Sequence, residues 1–282
     1  MKFLARMYRA FALLVQLPIL LGVYLDRETG REYGLGFFRK LGLFLRMQRN
    51  TRRVPSASHV LEHLSMATTL LRMPNSVPGC VVECGTYKGG SATNLSLICR
   101  ITGRQLHVFD SFEGLPEPSE RDRSHVLIDQ RTIHTYEKGS WAGSLDEVRG
   151  NITRNGAINV VTFHRGYFDQ SLPGFHEPCV LVFADVDLVD SLEPCVKHLW
   201  PLLQTGGHFY THEAPHLEIS AFFFDAPWWR ANLGEPAPGL IGAGTGLGLF
   251  AGPGSFHSDI GYAVKDARRL ELVVDHQRGL ER

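Results

Sequence analysis

The sequence has no excess of charge of either sign. Lysine plus arginine number 29, as do aspartate plus glutamate, so the 282-residue chain has a formal net charge of zero. Proteins that bind nucleic acid usually carry a basic excess or patch, so we predict no nucleic-acid partner. Glycine (29) and proline (15) are close to average and show no short period, which excludes collagen-like chains. With 44% hydrophobic residues, the chain can bury a sizeable core.

Cysteine is also scarce. The five cysteines are odd in number, and no two have C-x-x-C spacing: Cys80, Cys84, Cys99, Cys179 and Cys195. We therefore expect neither a disulfide framework nor a zinc ribbon, and we predict a reducing, cytoplasmic location. Most of them lie in apolar runs, so we interpret them as small buried hydrophobic side chains.

No hydrophobic run has the length of a membrane span. Sixteen uncharged residues separate Arg9 from Asp26, and as a helix they would extend about 24 Å, against roughly 30 Å for the hydrocarbon core. Pro18 interrupts the run and no small-residue cleavage site precedes Asp26, which disfavours a signal peptide. We favour a helix packed on the protein or on a second copy, which predicts a homo-oligomer. The alternative is an interfacial helix anchored by Lys2, Arg6 and Arg9, which would give membrane-surface contact.

The chain divides into an N-terminal helical extension, residues 1–56, and a larger domain, residues 57–282. Within the extension, the basic stretch in 26–56 is typical of a solvated linking segment. Beyond it, short apolar strands alternate with helical patterns, and residues 111–140 form an unusually long polar connection. We predict a doubly wound, mainly parallel, seven-stranded Rossmann-like α/β sheet covered on both faces. The predicted strands are 80–83, 106–109, 160–163, 179–184, 208–210, 239–250 and 260–264, and the helices are 58–73, 91–100, 145–155 and 192–203.

Ligands of such a sheet bind at the carboxyl ends of its strands. The first strand ends in E-C-G-T-Y-K-G-G-S over 83–91, which is neither a dinucleotide fingerprint nor a phosphate-binding loop. The second ends in Asp110, an acid that can accept both hydroxyls of a ribose. Together they indicate S-adenosylmethionine, a ligand with a ribose and an amino group but no phosphate. The candidate cofactor-binding residues are Glu83, Gly85, Thr86, Tyr87, Gly89, Ser91, Asp110 and Ser111.

The motifs V-E-C-G-T-Y-K-G-G-S (82–91) and F-D-S-F-E-G-L-P (109–116) resemble those of the macrocin and mycinamicin sugar O-methyltransferases of antibiotic biosynthesis. The likeness continues at G-Y-F-D-Q-S-L-P (166–173) and D-V-D-L-V-D-S (185–191), and it covers about 58–214. The resemblance implies a class I methyltransferase fold. It also implies methyl transfer to a hydroxyl of a sugar, glycoside, polyol or related secondary metabolite, usually with bound magnesium.

The resemblance also implies a metal site built from an aspartate after the fourth strand and an acidic pair after the fifth. Asp185 and Asp187 match the first element, but His212-Glu213 stands in place of the acidic pair. An imidazole suits Mn²⁺, Fe²⁺ or Zn²⁺ better than Mg²⁺. We expect Asp185, His212 and Glu213 as metal ligands, and these three with Asp187 as the catalytic set. The alternative is a metal-free site in which Glu213 or His212 is the base.

Three other features leave alternatives open. H-E-A-P-H over 212–216 has the spacing of a zinc-protease motif, but Pro215 would occupy an interior helical position, at a cost of about 3 kcal/mol. The glycine-rich segment 242–248 is typical of a strand or a substrate loop. The aromatic residues in 222–229 indicate core or a dimer face rather than a substrate wall. A catalytically silent methyltransferase-like binding subunit is a further alternative.

Overall fold

The structure is a computed structural model, and it describes Met7, Pro18 and residues 21–58, 60–127, 133–241 and 259–266. Residues 21–25 are helical. The α-helices that follow are α1 (Phe37–Arg53), α2 (Val60–Arg72), α3 (Gly90–Thr102), α4 (Leu145–Asn155), α5 (Phe168–Ser171), α6 (Val189–Leu199), α7 (Leu217–Phe222) and α8 (Ala226–Leu233). The strands are β1 (Cys80–Cys84), β2 (Leu106–Asp110), β3 (Ser124–Val126), β4 (Ile133–Thr135), β5 (Val161–Arg165), β6 (Cys179–Ala184), β7 (Leu203–Thr211) and β8 (Gly261–Val264).

The main sheet has the strand order β5-β2-β1-β6-β7-β8. Its first five strands run parallel, and β8 runs antiparallel to β7. The strand order reverses between β1 and β6, which is where sheets of this kind bind their ligands. The predicted doubly wound, mainly parallel architecture is confirmed.

The predicted strand count is wrong for the described residues, where the main sheet has six strands rather than seven. Of the two C-terminal candidates, the segment predicted as 260–264 forms β8, which begins at Gly261. In the other candidate only 239–241 is described, and there Ile241 makes an isolated bridge to Tyr262. Residues 242–250, including the whole glycine-rich segment 242–248, lie outside the described residues.

Two apolar layers cover the sheet. On one face, Val81, Leu181 and Phe183 pack with residues of α2, α3 and α4. On the other, Val82 and Val182 pack with residues of α6, α7 and α8. All six residues of β6 are buried, as expected for a parallel strand covered on both sides. All five cysteines are buried and unpaired, which confirms their interpretation as buried side chains.

The interpretation of 26–56 as a solvated linking segment is wrong for 37–53, which form α1. Lys40, Phe44 and Met47 lie one helical turn apart and are buried, as is Asn50. The Asn50 amide donates to Asn94 Oδ1 at 3.0 Å, and Lys40 Nζ donates to two backbone carbonyls, those of Asp26 and Thr29. The buried residues recur with the period of a helix. The sequence analysis missed this period because it considered only the charge of the arginines, which lie on the exposed face.

Helix α6 differs from its predicted bounds of 192–203 at both ends. It begins at Val189 because the buried Asp122 carboxylate accepts hydrogen bonds from the backbone N–H groups of Val189 (2.9 Å) and Asp190 (2.7 Å). It ends at Leu199, just before Trp200 and Pro201. A cap supplied from 67 residues away cannot be found from local sequence. No helix within the described ranges has both the length and the apolar character needed to cross a bilayer.

Candidate active site

A cavity of about 360 Å³ lies at the carboxyl ends of β1, β2, β6 and β7. It therefore occupies the point at which the strand order reverses. Nine predicted site residues line it: Gly85, Thr86, Tyr87, Asp110, Ser111, Asp185, Asp187, His212 and Glu213. The structure thus brings five of the eight candidate cofactor residues and all four candidate catalytic residues into a single cavity.

The loop after β1 lies directly against the end of β6. Asp185 N donates to Cys84 O at 2.9 Å, and a Cβ placed on Gly85 would lie 1.9 Å from the carbonyl oxygen of Asp185. Gly85 also has a φ of +79°, in the left-handed region. Only glycine fits this close approach, which joins the two halves of the cavity.

Asp110 holds the loop from the next strand. Its Oδ2 accepts from Thr86 N at 2.7 Å, and its Oδ1 accepts from Phe112 N at 2.6 Å. Burial raises the pKa of Asp110, although these backbone hydrogen bonds oppose the shift. A carboxylate has about four lone-pair positions, so positions remain at the cavity edge for further donors such as hydroxyls.

Glu83, Gly89 and Ser91, which we also predicted to bind the cofactor, do not line the cavity. Glu83 is completely buried, and its carboxylate accepts a hydrogen bond from Ser91 Oγ. Burial raises the pKa of Glu83 to about 8. Gly89 is the N-cap of α3 and has a φ of +83°. These residues lie behind the loop and support it, a placement that does not match direct contact between Glu83 and a ligand.

Strained backbone is concentrated around the cavity. Among the described residues, positive φ at residues other than glycine occurs at Tyr87, Phe112, Trp141 and Asp187. Three of these line the cavity, and Phe112 follows the lining residue Ser111. Such conformations cost of order 1–3 kcal/mol each and persist where the surrounding structure enforces them, most often at functional sites.

Asp185, His212 and Glu213 form a compact buried cluster. His212 Nδ1 lies 3.3 Å from Asp185 Oδ1 and 3.3 Å from Glu213 Oε1. The ligand atoms of these three residues all lie within 4.8 Å of one another. Glu213 Oε2 is buried and makes no hydrogen bond. The fourth predicted catalytic residue, Asp187, also faces this cavity.

The charges of the cluster are strongly interdependent. Burial would lower the pKa of His212, but Asp185 and Glu62 outweigh it and raise the pKa well above its usual value. Burial would raise the pKa of Asp185, but His212 outweighs it and lowers the pKa. Burial raises the pKa of Glu213 well above its usual value, and it raises that of Asp187 to about 7, aided by the neighbouring Asp185. In this arrangement the imidazolium is paired with ionised Asp185.

Glu62 contacts the buried cluster, and the sequence analysis did not include it among the site residues. It lies in the first turn of α2, is 1% exposed, and places Oε2 3.5 Å from His212 Nε2. Its Oε1 accepts from Asp259 N at 2.9 Å. The only local signal is an acid within an apolar helix. That signal does not predict a contact with His212, because the contact depends on the packing of α2 beside the end of β7.

The outer wall of the cavity is formed by aromatic and imidazole side chains that we did not predict. Tyr136 OH and His216 Nδ1 are 2.9 Å apart, and the His134 ring lies 4.6 Å from the Tyr136 ring. Burial lowers the pKa of His216 to about 3, with His125 and His134 adding to the shift, so its imidazole is neutral. Ring faces of this kind can contact the apolar face of a sugar as well as an aromatic acceptor.

The resemblance of 212–216 to a zinc-protease motif is not realised. Helix α7 begins at Leu217, so His212 and His216 do not lie one turn apart on a helix. His216 instead lines the cavity. In the aromatic segment, Phe222, Phe223 and Trp229 are buried in the core, which confirms the core interpretation for these residues.

The donor set of the cluster fits a divalent transition metal. Two carboxylates and an imidazole can converge on one ion, and Glu213 Oε2 is a buried acceptor that lacks a partner. Nitrogen and oxygen ligands together suit Mn²⁺, Fe²⁺ or Zn²⁺. Features that fit S-adenosylmethionine are the closely approaching loop at Gly85, the Asp110 carboxylate and the Thr86 hydroxyl, which is buried without a hydrogen bond.

The family model described as macrocin-O-methyltransferase (TylF) matches residues 57–215. The chain is 32% identical over 163 residues to the 8-demethyl-8-(2,3-dimethoxy-alpha-L-rhamnosyl)-tetracenomycin-C 4'-O-methyltransferase of Streptomyces olivaceus, covering 54% of this chain and 61% of that protein. It is 30% identical over 143 residues to the demethyldecarbamoylnovobiocin O-methyltransferase of Streptomyces niveus, covering 48% of this chain and 52% of that protein. In both cases the match spans less than two thirds of the relative.

Solved structures show the same fold. The O-methyltransferase NovP superposes with a TM-score of 0.59 at 21% identity, covering 80% of this chain and 98% of that one. The calicheamicin methyltransferase CalS11 superposes with a TM-score of 0.51 at 15% identity, covering 80% of this chain and 92% of that one. The Rossmann-like fold predicted from the strand and helix pattern is therefore the fold of known methyltransferases.

Proposed function

Because the chain belongs to the macrocin-O-methyltransferase (TylF) family, we propose that it transfers the methyl group of S-adenosylmethionine to a hydroxyl of a sugar, glycoside or related secondary metabolite. The matched residues 57–215 include both strand ends and the buried cluster. The observation that carries the proposal is that one cavity holds the Gly85–Tyr87 loop and Asp110 on one side and Asp185, His212 and Glu213 on the other. Two reactants bound in this cavity would be adjacent.

In this proposal, the carboxylate of Asp110 accepts the ribose hydroxyls of the cofactor, and the backbone of 85–87 lies along its amino-acid part. Ser111 contributes at the edge of the cavity. Glu83 and Ser91 act as positioning residues, since their mutual hydrogen bond lies under the loop. Gly89 allows the turn into α3.

Methyl transfer needs an acceptor oxygen about 3 Å from the methyl group and in line with the departing sulfur. A hydroxyl is a weak nucleophile near neutral pH, so its proton must be removed as it attacks. We assign this role to Asp187, because its pKa of about 7 leaves a useful ionised fraction at neutral pH. Asp185 and His212 orient the acceptor, and Tyr136 and His216 hold its far side.

A divalent metal, most suitably Mn²⁺, would be held by Asp185, His212 and Glu213. When bound, it would lower the pKa of a coordinated hydroxyl. The metal-free alternative keeps the same cavity and uses His212 or Glu213 as base. The upward shifts of both pKa values oppose that alternative, because they favour the protonated forms, which cannot accept a proton.

We further propose that the N-terminal extension contacts a second copy of the chain, with a membrane surface as the alternative. Large apolar side chains on residues 21–45 are exposed, including Phe38 (84%), Leu45 (53%) and Phe37 (52%). An exposed apolar group of this size is typical of a contact surface. The buried, unpaired cysteines support the predicted cytoplasmic location.

Calorimetry with S-adenosylhomocysteine tests the cofactor half of the proposal. We expect native protein to bind, and Asp110→Asn to weaken binding by about tenfold or more, because the amide cannot accept both hydroxyls. The matched control is Asp146→Asn, an exposed position on α4. Equal affinity in native protein and Asp110→Asn would contradict the assignment. Binding without turnover on any glycoside would favour the silent-subunit alternative.

A further inference from the structure

A second cluster of metal-ligating side chains lies at the other end of the sheet. Cys80 is the first residue of β1, His107 is the second residue of β2, and Glu177 lies two residues before β6. The candidate ligand atoms of these three residues all lie within 4.8 Å of one another. The strand starts thus carry this cluster, whereas the proposed active site lies at the strand ends.

One nitrogen of this cluster lacks a hydrogen bond. His107 Nε2 is buried and makes no hydrogen bond, and the nearest carboxylate oxygen, Glu177 Oε2, is 3.5 Å away. Burial lowers the pKa of His107, although the nearby Glu177 opposes the shift. Burial raises the pKa of the Cys80 thiol to about 12. An unbonded imidazole nitrogen, a buried thiol and a carboxylate therefore face one small volume.

A further imidazole orients His107. His107 Nδ1 lies 3.0 Å from His164 Nε2, and the ring of Phe175 lies 5.0 Å from that of His107. In the tautomer that donates from Nδ1 to His164, the Nε2 lone pair points toward Glu177. Metal-binding histidines almost always use their second nitrogen in such a hydrogen bond. The cluster therefore has an orienting partner as well as three ligands.

We propose that Cys80, His107 and Glu177 bind one Zn²⁺ ion, or a similar thiolate-preferring divalent metal, with water as the fourth ligand. Zinc is commonly held by sulfur, nitrogen and carboxylate oxygen in a tetrahedral arrangement. Binding forms one bond to each of the three residues, and the thiol proton passes to solvent. Glu177 has a 59% exposed side chain, so it can move to complete the site and leaves a path for the ion.

The backbone already holds the ligand segments together. Cys80 N donates to Pro178 O at 2.9 Å, which fixes the residue after Glu177 beside the start of β1. Strands β1 and β2 are hydrogen-bonded neighbours, so Cys80 and His107 cannot separate without breaking the sheet. A bound ion would join β1, β2 and the segment before β6, and it would stabilise the folded chain.

Cobalt titration tests the proposal, because cobalt bound to a thiolate gives a charge-transfer band in the near ultraviolet. The Asp185–His212–Glu213 cluster contains no cysteine, so cobalt bound there gives no such band. We expect the band at one equivalent of Co²⁺ in native protein and in Asp185→Asn, and its displacement by Zn²⁺. Cys80→Ser should abolish it, whereas the matched control Cys195→Ser, a buried thiol on α6, should keep it.

Glu177→Gln provides a variant whose folding is not in question, because the side chain is exposed. We expect it to weaken Co²⁺ binding by tenfold or more, while Glu120→Gln, whose side chain is 92% exposed, leaves binding unchanged. Saturating Zn²⁺ should raise the melting temperature of Asp185→Asn by about 5 °C, and the rise should vanish when Cys80→Ser is added. Absence of the band in native protein, or an unchanged band in Cys80→Ser, would overturn the proposal.

Discussion

A single methyl group added at Gly85 should damage both halves of the proposed active site. The new Cβ would lie 1.9 Å from the carbonyl oxygen of Asp185, whereas real Cβ contacts essentially never fall below 3.0 Å. The loop after β1 or the end of β6 must therefore move by at least about 1.1 Å. Because Gly85 and Asp185 both line the cavity, any such movement displaces cofactor-binding or catalytic groups.

The structure offers a control that separates this contact from the backbone cost. Gly103 has a φ of +70°, close to the +79° of Gly85, but a Cβ there would meet nothing within 4 Å. Gly103→Ala should lower the free energy of unfolding by about 1–2 kcal/mol, because alanine is strained in the left-handed conformation. Gly85→Ala should lower it by the same amount and by about 1–3 kcal/mol more, because the crowded site must also repack around the new methyl group.

We therefore expect Gly85→Ala to lower the free energy of unfolding by about 2–5 kcal/mol and Gly103→Ala by about 1–2 kcal/mol, measured by urea denaturation. A displacement of about 1 Å can reduce turnover about a hundredfold, so kcat/KM should fall by that order in Gly85→Ala only. The reasoning would be refuted if Gly85→Ala kept native turnover and cofactor affinity, or if the two variants lost equal stability.

Three further predictions concern other residues. The raised pKa of Glu83 makes native protein lose stability as pH rises from about 4.5 to 8. Glu83→Gln lacks this ionisation, so its melting temperature should rise relative to that of native protein across the same range. A difference in melting temperature that does not change with pH would contradict this. Asp122→Ala should lower the free energy of unfolding by about 2–4 kcal/mol, because His125 and the backbone N–H groups of Val189 and Asp190 lose their acceptor. Urea denaturation measures this loss, with Asp169→Ala at an exposed position as the control. Chelation should abolish methyl transfer and Mn²⁺ should restore it at least as well as Mg²⁺, whereas turnover that survives chelation would favour a metal-free base.

The sheet was largely predictable because buried parallel strands are continuous apolar runs. Four of the five parallel strands begin within one residue of their predicted starts, and β6 matches at both ends. The fifth, β7, was predicted only as 208–210 but starts at Leu203, because Gln204 and the glycines at 206 and 207 interrupt the apolar pattern. The hairpin β3–β4 was missed because its strands have three residues each and only His125 is buried.

The candidate site was predictable where each residue follows a strand. Asp110 is the last residue of β2, and Asp185 and His212 follow β6 and β7 directly; the topology alone brings those strand ends together. Glu62 contacts His212 from a helix, and Tyr136 reaches the cavity from a long connection, so the place of both residues depends on tertiary packing. Glu83 is the opposite case, since an acid at the end of the predicted first strand suggested a ligand contact, but Glu83 is completely buried and does not line the cavity.

Methyl transfer itself tests the central claim most directly. The full chain is incubated with S-adenosylmethionine carrying an isotopically labelled methyl group, a divalent metal and a panel of glycosides with vicinal hydroxyls. Mass spectrometry then locates the label, with Asp187→Asn as the inactive comparison and Asp146→Asn as the matched active one. The account predicts label on one acceptor oxygen, with equimolar S-adenosylhomocysteine, in native protein and Asp146→Asn only. Tight cofactor binding with no label on any acceptor, or equal labelling by Asp187→Asn, would contradict it.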